Sequence, residues 1–169
     1  MIGALQSAWV SWRSRIQSRQ KPGHRRRQNQ AVHIETRLQD VVGENAGATF
    51  AMRLAYLRKI DPLVFEEMTL DAFATHGWRV VRGTRYSGDG GLDGRIYRDG
   101  VWCGIQCKRY RGEIHHAHVH QFVKDMDAEG IHQGFFVHTG RTPKSLQKPD
   151  GVVLLSGQAL VNFIAGECT

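Results

Sequence analysis

The dipeptide Asp99-Gly100 constrains the fold of this chain more than any other feature, because it separates two short segments of strand-like residues. Asp-Gly is strongly favoured in two-residue hairpin turns, where both central residues adopt positive φ angles. The pattern therefore predicts two adjacent antiparallel strands. Asp93 lies six residues before Asp99, and Gln106 lies six residues after Gly100. We expect Asp93 and Gln106 to face each other across the hairpin, within side-chain reach.

The second strand of this hairpin carries Gln106 and Lys108 near its end. Side chains alternate along a strand, so these two share one face, whereas Ile105 and Cys107 point to the other. Together with Asp93 they bring an acid, an amide and an ammonium group to one end of a sheet. This set suits phosphodiester hydrolysis, because a carboxylate oxygen holds Mg²⁺ and a lysine orients or deprotonates the attacking water. From Asp93 and Lys108 alone, a solvated ion pair remains the alternative.

The chain from Asp61 onward alternates between helix and strand patterns. Asp61-Pro62 opens the first helix, since aspartate caps helix N-termini and proline is tolerated in the first turn. The predicted elements are, in order, a helix at 61–77, strands at 78–84, 92–98 and 101–108, a helix at 119–130, strands at 134–139 and 152–155, and a helix at 160–164. This order predicts an α/β fold, a three-layer sandwich with a central mixed β-sheet flanked by helices.

Residues 1–30 carry the positive charge of the chain. They hold seven basic side chains and no acid, whereas the remaining residues hold sixteen groups of each sign. A formal net charge of +7 indicates a polyanionic partner, but the surplus belongs to this N-terminal basic extension. We predict a basic amphipathic or disordered tail at 1–30, a helical connector or additional helical layer at 31–59, and a folded domain at 60–165. The tail is interpreted as mobile, as a membrane-surface helix or as a phosphate contact.

No segment of the sequence predicts a membrane span, because no apolar run approaches the ~20 residues needed to cross a bilayer. The N-terminus lacks the charged region and the apolar stretch of a secretory signal. Cys103, Cys107 and Cys168 form neither a zinc-binding pattern nor a disulfide framework, which fits a reducing compartment. We therefore expect a cytoplasmic protein.

Several motifs follow one another in residues 60–165. They are FE at 65–66, GWxV at 77–80, SGDGGLDG at 87–94, IQCKRY at 105–110, GFFVHTG at 134–140 and LxSGxxL at 154–160. Together they resemble the Mrr-like (type IV) restriction endonucleases, a branch of the PD-(D/E)xK nuclease superfamily. The resemblance implies a restriction-endonuclease-like fold, one or two Mg²⁺ ions with Mn²⁺ as a substitute, and double-stranded DNA as the substrate. A homodimer is expected where both strands are cut.

The resemblance also implies roles for single residues. Asp93 matches the metal-binding acid, and Lys108 matches the catalytic lysine. Gln106 stands where the superfamily usually has Asp or Glu, which removes one charged ligand from the metal. Glu66, on the first helix of the domain, matches an acid that supplies the missing carboxylate. The carbonyl group of Cys107 is the further metal contact that the resemblance implies.

The basic residues beside the catalytic lysine are the expected DNA contacts. We predict that Arg109, Arg111, Ser87 and Lys108 itself bind the DNA. Glu67 is the alternative to Glu66 as the helix carboxylate, although adjacent helical residues point about 100° apart. Asp89 is interpreted equally as a loop cap and as part of the metal network.

Two features depart from the pattern of the family. The segment 141–151, RTPKSLQKPDG, contains Pro143 and Pro149 and leaves little room for the helix expected there, so the placement of the last strand is open. Histidines crowd the segment 115–120. His116 and His120 have the i, i+4 spacing of two helix-borne metal ligands, but no third ligand is evident. A histidine-rich helix start or a contact with the DNA backbone is the alternative.

Two other functions remain open at this point. A Holliday-junction resolvase of the same superfamily also joins a helix glutamate to an aspartate and a lysine, but it usually carries a glutamate where Gln106 stands. A non-catalytic DNA-binding module with the same fold is the second alternative, in which the amide of Gln106 has disabled the metal site.

Overall fold

The computed structural model of the chain describes residues 22–83 and 91–167. In these ranges the helices are α1 (Pro22–Asp40), α2 (Ala46–Leu57), α3 (Pro62–Thr75), α4 (His116–Ala128) and α5 (Gly157–Ala165). The strands are β1 (Arg79–Arg82), β2 (Gly94–Arg98), β3 (Val101–Lys108), β4 (Gln133–His138) and β5 (Val152–Leu155). Most of the predicted tail, together with Ser87 and Asp89, lies outside the described residues.

The five strands form one mixed sheet in the order β1-β2-β3-β4-β5. β1, β2 and β3 are antiparallel neighbours, whereas β4 is parallel to both β3 and β5. The predicted hairpin joins β2 to β3: Arg98 pairs with Val101, and Asp99 and Gly100 have φ angles of 52° and 85°. Both central residues therefore adopt the positive φ angles that an Asp-Gly hairpin turn requires.

Helix α3 begins where the sequence predicts. The carboxylate of Asp61 accepts hydrogen bonds from the backbone N–H groups of Leu63 (2.9 Å) and Val64 (3.3 Å), and Pro62 occupies the first turn. Gly77, with a φ angle of 83°, follows the end of the helix. The N-terminal cap leaves fewer unsatisfied amide groups, so the position of the first turn is set locally.

Two hydrophobic cores lie on opposite faces of the sheet, which makes the molecule a three-layer α/β sandwich. On one face, α1, α2, α3 and α5 bury a large core that includes Phe65 and Phe73. On the other face, α4 covers a smaller core around Phe122, Met126 and Phe136. The predicted fold class is confirmed.

Helix α1 crosses the boundary at residue 30 that the sequence predicts between tail and connector. Residues 22–30 of the predicted basic amphipathic or disordered tail are helical, because proline is tolerated in the first helical turn and the Arg, Gln and Ala residues that follow favour helix. Ala31 and Leu38 anchor the helix, since both are fully buried in the larger core. Leu57 of α2 belongs to the same core, so residues 31–59 pack as a helical layer on the sheet.

The segment 141–151 contains no helix, as its two prolines predict. It crosses from β4 to β5, which pairs in parallel with β4 from Gly134↔Val152 to Val137↔Leu155. This pairing places the last strand at the edge of the sheet. Among residues 22–83 and 91–167, no helix is long and apolar enough to cross a membrane.

His138, near the end of β4, is fully buried against Phe136, and burial lowers the pKa of its imidazole to about 4 from the ordinary value of 6.5. The folded state therefore favours the neutral ring. The stabilisation from this preference is complete above about pH 6.5 and is lost as the pH falls toward 4.

We expect the parent chain to lose stability relative to His138→Gln as the pH is lowered from about 7 to 5, by about 1–3 kcal/mol. Urea unfolding at both pH values measures this difference. The matched control is His132→Gln, since His132 is an exposed histidine outside both hydrophobic cores. Parallel pH profiles for the parent and His138→Gln would contradict the assignment.

Candidate active site

Asp93 stands immediately before β2, at the point where β2 and β3 begin to separate. Its backbone N–H donates to the carbonyl of Ile105 (2.9 Å), whereas its own carbonyl accepts from Gly83 on the side of β1 (3.1 Å). A regular strand residue directs both groups to one side, so the backbone turns at Asp93. The turn leaves the end of β3 without a regular backbone partner from β2.

The carboxylate of Asp93 replaces that missing backbone partner. Its Oδ2 accepts hydrogen bonds from Gln106 Nε2 (2.7 Å) and from the backbone N–H of Cys107 (2.6 Å). The predicted meeting of Asp93 and Gln106 across the hairpin is therefore present. Because a strand residue directs its N–H and C=O to the same side, the carbonyl of Cys107 points to the side on which Asp93 lies.

The side chains of β3 alternate between the two layers as the sequence predicts. Ile105 and Cys107 are buried in the core beneath α3. A Cβ added to Gly104 would lie 2.9 Å from Met126 Cγ, so the opposite face of β3 meets α4. Gln106 and Lys108 share that second face. Gln106 is only 7% exposed, and Lys108 is half-buried at the end of the strand.

Glu66 enters the same region from α3. Burial and, after it, the charge of Asp93 raise the pKa of Glu66 to about 8, while the charge of Lys108 opposes the rise. Burial also raises the pKa of Asp93 to about 6, although hydrogen bonds from Cys107 and Gln106 favour its charged form. The two carboxyl groups and the ammonium group therefore form one electrostatic cluster, drawn from a helix and two strands.

Glu67 lies elsewhere. Its side chain is 2% exposed and forms a buried ion pair with Arg82 Nε at 2.8 Å, and Arg82 also contacts Asp71. Consecutive helical residues point about 100° apart, so only one of the two glutamates reaches the cluster. Glu66 is that residue.

Tyr110 and His118 flank Lys108 on the α4 side. The Tyr110 hydroxyl contacts His118 Nδ1, and the ring of His115 packs edge-on against both aromatic rings. Burial lowers the pKa of His118, and the charges of Lys108 and His115 lower it further. The sequence motifs predict no individual role for Tyr110, and His118 is one of the histidines at 115–120 for which a contact with the DNA backbone is the alternative. Side chains two residues apart in an extended segment lie on the same face, so the spacing of Lys108 and Tyr110 predicts that Tyr110 lies near Lys108.

The basic side chains predicted to bind DNA differ in their surroundings. Arg111 is exposed. Arg109 instead donates from Nη1 to the carbonyl of Arg58 at 2.9 Å, just beyond the end of α2, which holds its guanidinium against the protein. His116 Nε2 lies 3.4 Å from Ser145 Oγ, and His120 lines a groove further along α4.

The donor set at the cluster fits a hard divalent cation. The carboxylate oxygens of Asp93 and Glu66, the amide oxygen of Gln106 and the carbonyl oxygen of Cys107 are ligands of the type that Mg²⁺ prefers. Both carboxyl groups have raised pKa values, and a nearby cation would favour their charged forms. In the described ranges no group of three or more His, Cys, Asp or Glu side chains is arranged to hold a metal. The donor set described above contains two such side chains, Asp93 and Glu66, and its other two ligands are an amide oxygen and a backbone carbonyl.

Comparisons with known proteins identify the family of the chain. Residues 57–164 match the sequence model of the Mrr_cat family, described as "Restriction endonuclease". Among solved structures, the chain is similar to "MspJI Restriction Endonuclease in Complex with 27-mer Oligonucleotide", with a TM-score of 0.55 and 26% identity. The similarity covers 70% of this chain and 32% of that chain, so the chain spans about a third of that endonuclease. A search of curated proteins found no match.

The sheet topology, together with this structural similarity, defines the class as a restriction-endonuclease-like α/β domain. The family match covers well over half of the 169 residues. The chain belongs to the Mrr_cat restriction endonuclease family. The predicted family and fold are confirmed, and the matched range lies within three residues of the predicted domain at 60–165.

Proposed function

We propose that this chain is a metal-dependent endonuclease that hydrolyses phosphodiester bonds in double-stranded DNA, in a type IV-like restriction system. The observation that carries the proposal is the contact of the Asp93 carboxylate with Gln106 and Cys107, at the same end of the sheet as Lys108. The similar solved structure is an MspJI restriction endonuclease in complex with an oligonucleotide, which supports DNA as the substrate.

Each residue of the cluster has a separate role in the proposed hydrolysis. Asp93 and Glu66 would hold one or two Mg²⁺ ions, or Mn²⁺ in their place, with the Gln106 amide oxygen and the Cys107 carbonyl as further ligands. When bound, the metal supplies Lewis acidity toward the scissile phosphate. Lys108 orients the attacking water and stabilises the charge that develops on the phosphate. Gln106 holds the Asp93 carboxylate in place through its Nε2 hydrogen bond.

The proposal extends to the partners of the domain. Lys108 and the exposed Arg111 contact the DNA backbone, and two copies of the chain act together when both strands are cut. Arg109 acts mainly by joining the end of β3 to the residue after α2, since its guanidinium donates to the Arg58 carbonyl. The buried free thiols of Cys103 and Cys107 fit action in the cytoplasm.

Plasmid cleavage tests the proposal directly. We expect the full chain to nick or linearise supercoiled plasmid with Mg²⁺ or Mn²⁺, and to leave it intact with excess EDTA, because the donor set depends on a divalent cation. Methylated and unmethylated plasmids are compared side by side to test the type IV assignment. A four-way junction offered as a competing substrate separates a duplex endonuclease from a junction resolvase. Absence of cleavage of every substrate with either metal would contradict the proposal.

A non-catalytic DNA-binding module is the second candidate. The observation that favours it is the neutral side chain of Gln106. Its Nε2 already donates a hydrogen bond to Asp93 Oδ2, one of the two oxygens through which Asp93 would bind a metal. Isothermal titration with Mg²⁺ and Mn²⁺ separates the two candidates. Retained duplex binding without measurable metal binding would favour the module over the enzyme.

A further inference from the structure

A groove runs between the outer face of α4 and the segment 141–151. It has a volume of about 440 Å³ and is lined by His120, Val123, Lys124, Gln147, Lys148, Pro149 and Asp150. This volume lies within the range of ligand-binding clefts, which are usually lined mainly by apolar groups. Only two of the seven lining residues, Val123 and Pro149, are apolar. The other five are polar or charged, so the groove offers charged groups to an anion beside a partly apolar surface.

The charge of the groove is positive. Lys124 from α4 and Lys148 from the 141–151 segment are both exposed, and neither forms an ion pair with any residue that the structure describes. Asp150 is the single acid among the lining residues. The segment 141–151 as a whole carries three basic residues against that one acid. Two unpaired ammonium groups on opposite walls favour an anion that reaches both.

The groove connects with the candidate active site along α4. His116, His120 and Lys124 are spaced four residues apart, so they form one stripe about 12 Å long on the helix. Ser145 lies 3.4 Å from His116 Nε2, which places the 141–151 segment beside the beginning of this stripe. The first turn of the same helix carries His118, which lies within electrostatic range of Lys108. The stripe therefore begins at the catalytic end of the sheet.

We infer that this groove holds the sugar-phosphate backbone of the DNA substrate to one side of the scissile phosphate, toward the end of the sheet where β4 and β5 begin, with Lys124 and Lys148 each on a phosphate. A stripe of about 12 Å spans the rise of about three nucleotides of one strand. The inference rests on the proposed DNA endonuclease function. The contacts are independent of DNA sequence, because ammonium groups on phosphates carry no base readout.

The salt dependence of DNA binding tests the inference. The double variant Lys124→Gln/Lys148→Gln is compared with the parent for binding to a short labelled duplex in EDTA, between about 50 and 200 mM salt. Each phosphate contact contributes about 0.9 to the slope of log affinity against log salt. We expect the slope of the double variant to be shallower by about 2. In plasmid nicking, KM rises several-fold while kcat is unchanged, since these contacts bind ground state and transition state alike.

The matched control is Arg37→Gln/Arg98→Gln. Both arginines are exposed and lie outside the groove, Arg37 on α1 and Arg98 at the end of β2, and their loss changes the net charge equally. The control retains the parent slope if the groove is specific. Equal slopes for all three proteins, or equal changes in both variants, would overturn the groove assignment while parental cleavage still upholds the endonuclease. A parent that binds no duplex at all would overturn both proposals.

Discussion

We expect Lys108→Met to reduce plasmid cleavage by about 10³-fold or more, because the variant keeps the length of the side chain but removes the charge that we propose stabilises the phosphate. Lys108 is half-buried at the end of β3 and pairs there with the backbone of His138. We expect the variant to remain folded, because this backbone pairing does not depend on the side chain of Lys108. Cleavage rate and urea unfolding are measured on the same preparations.

Asp93→Asn is the companion variant, with the same expected loss of cleavage. The side-chain oxygen of the asparagine still accepts hydrogen bonds from Gln106 Nε2 and the Cys107 N–H, so the geometry of the hairpin end is retained. The negative ligand charge is lost. Lys59→Met, at an exposed lysine, is the matched control and cuts like the parent. If Lys108→Met and Asp93→Asn both cut at the parental rate, the centre lies elsewhere in the chain.

Substitutions of the two adjacent glutamates of α3 are expected to have opposite effects. One reduces cleavage, and the other reduces stability. We expect Glu66→Gln to reduce cleavage by about 10²-fold or more, because it removes a carboxylate from the metal site. Burial raises the pKa of Glu66 to about 8, so the folded chain penalises the charged form. Glu66→Gln is therefore more stable than the parent above about pH 8, and this advantage disappears as the pH falls toward 4.5.

Glu67→Gln keeps the catalytic cluster but weakens the fold. The variant removes the charge that faces Arg82 in a buried ion pair, and Asp71 remains as the second partner of that guanidinium. We expect a loss of about 1–3 kcal/mol in unfolding free energy and parental cleavage per folded molecule. Cleavage and chemical denaturation measured on both variants separate the two roles. Loss of cleavage in folded Glu67→Gln, with Glu66→Gln active, would reverse the assignment.

Two features of the site can be predicted from the sequence alone, because residues close together in the chain set them. They are the pairing of β2 with β3 and the start of α3. The Asp99-Gly100 turn sets the register of β2 and β3, because a two-residue loop permits only one pairing. That register brings Asp93 to Gln106 and places Lys108 on the same face of β3. The start of α3 follows for a similar reason, since Asp61 caps the helix through atoms only two and three residues away.

The rotation of α3 about its own axis, which sets the glutamate that points toward the strands, is visible only in the tertiary structure. Helical periodicity states that Glu66 and Glu67 point in different directions, but it does not state which of them meets the strands. Packing of the helix on its core places Glu67 beside Arg82 and leaves Glu66 in the cluster with Asp93 and Lys108. A helix pattern identifies a buried face, whereas the partner of that face depends on contacts distant in sequence.

Contacts between residues distant in sequence also explain three other features that the sequence did not predict: the hydrogen bond of Arg109, the basic groove and the extent of α1. Arg109 is one of several basic residues in the sequence, and only the tertiary structure shows that its guanidinium donates to the Arg58 carbonyl. The basic groove arises because a helix-free crossover passes over α4, bringing Lys148 to the groove that Lys124 lines. Helix α1 extends into the predicted tail because burial of Ala31 and Leu38 stabilises it. Each outcome depends on which surfaces meet, and local residue patterns carry no information on that.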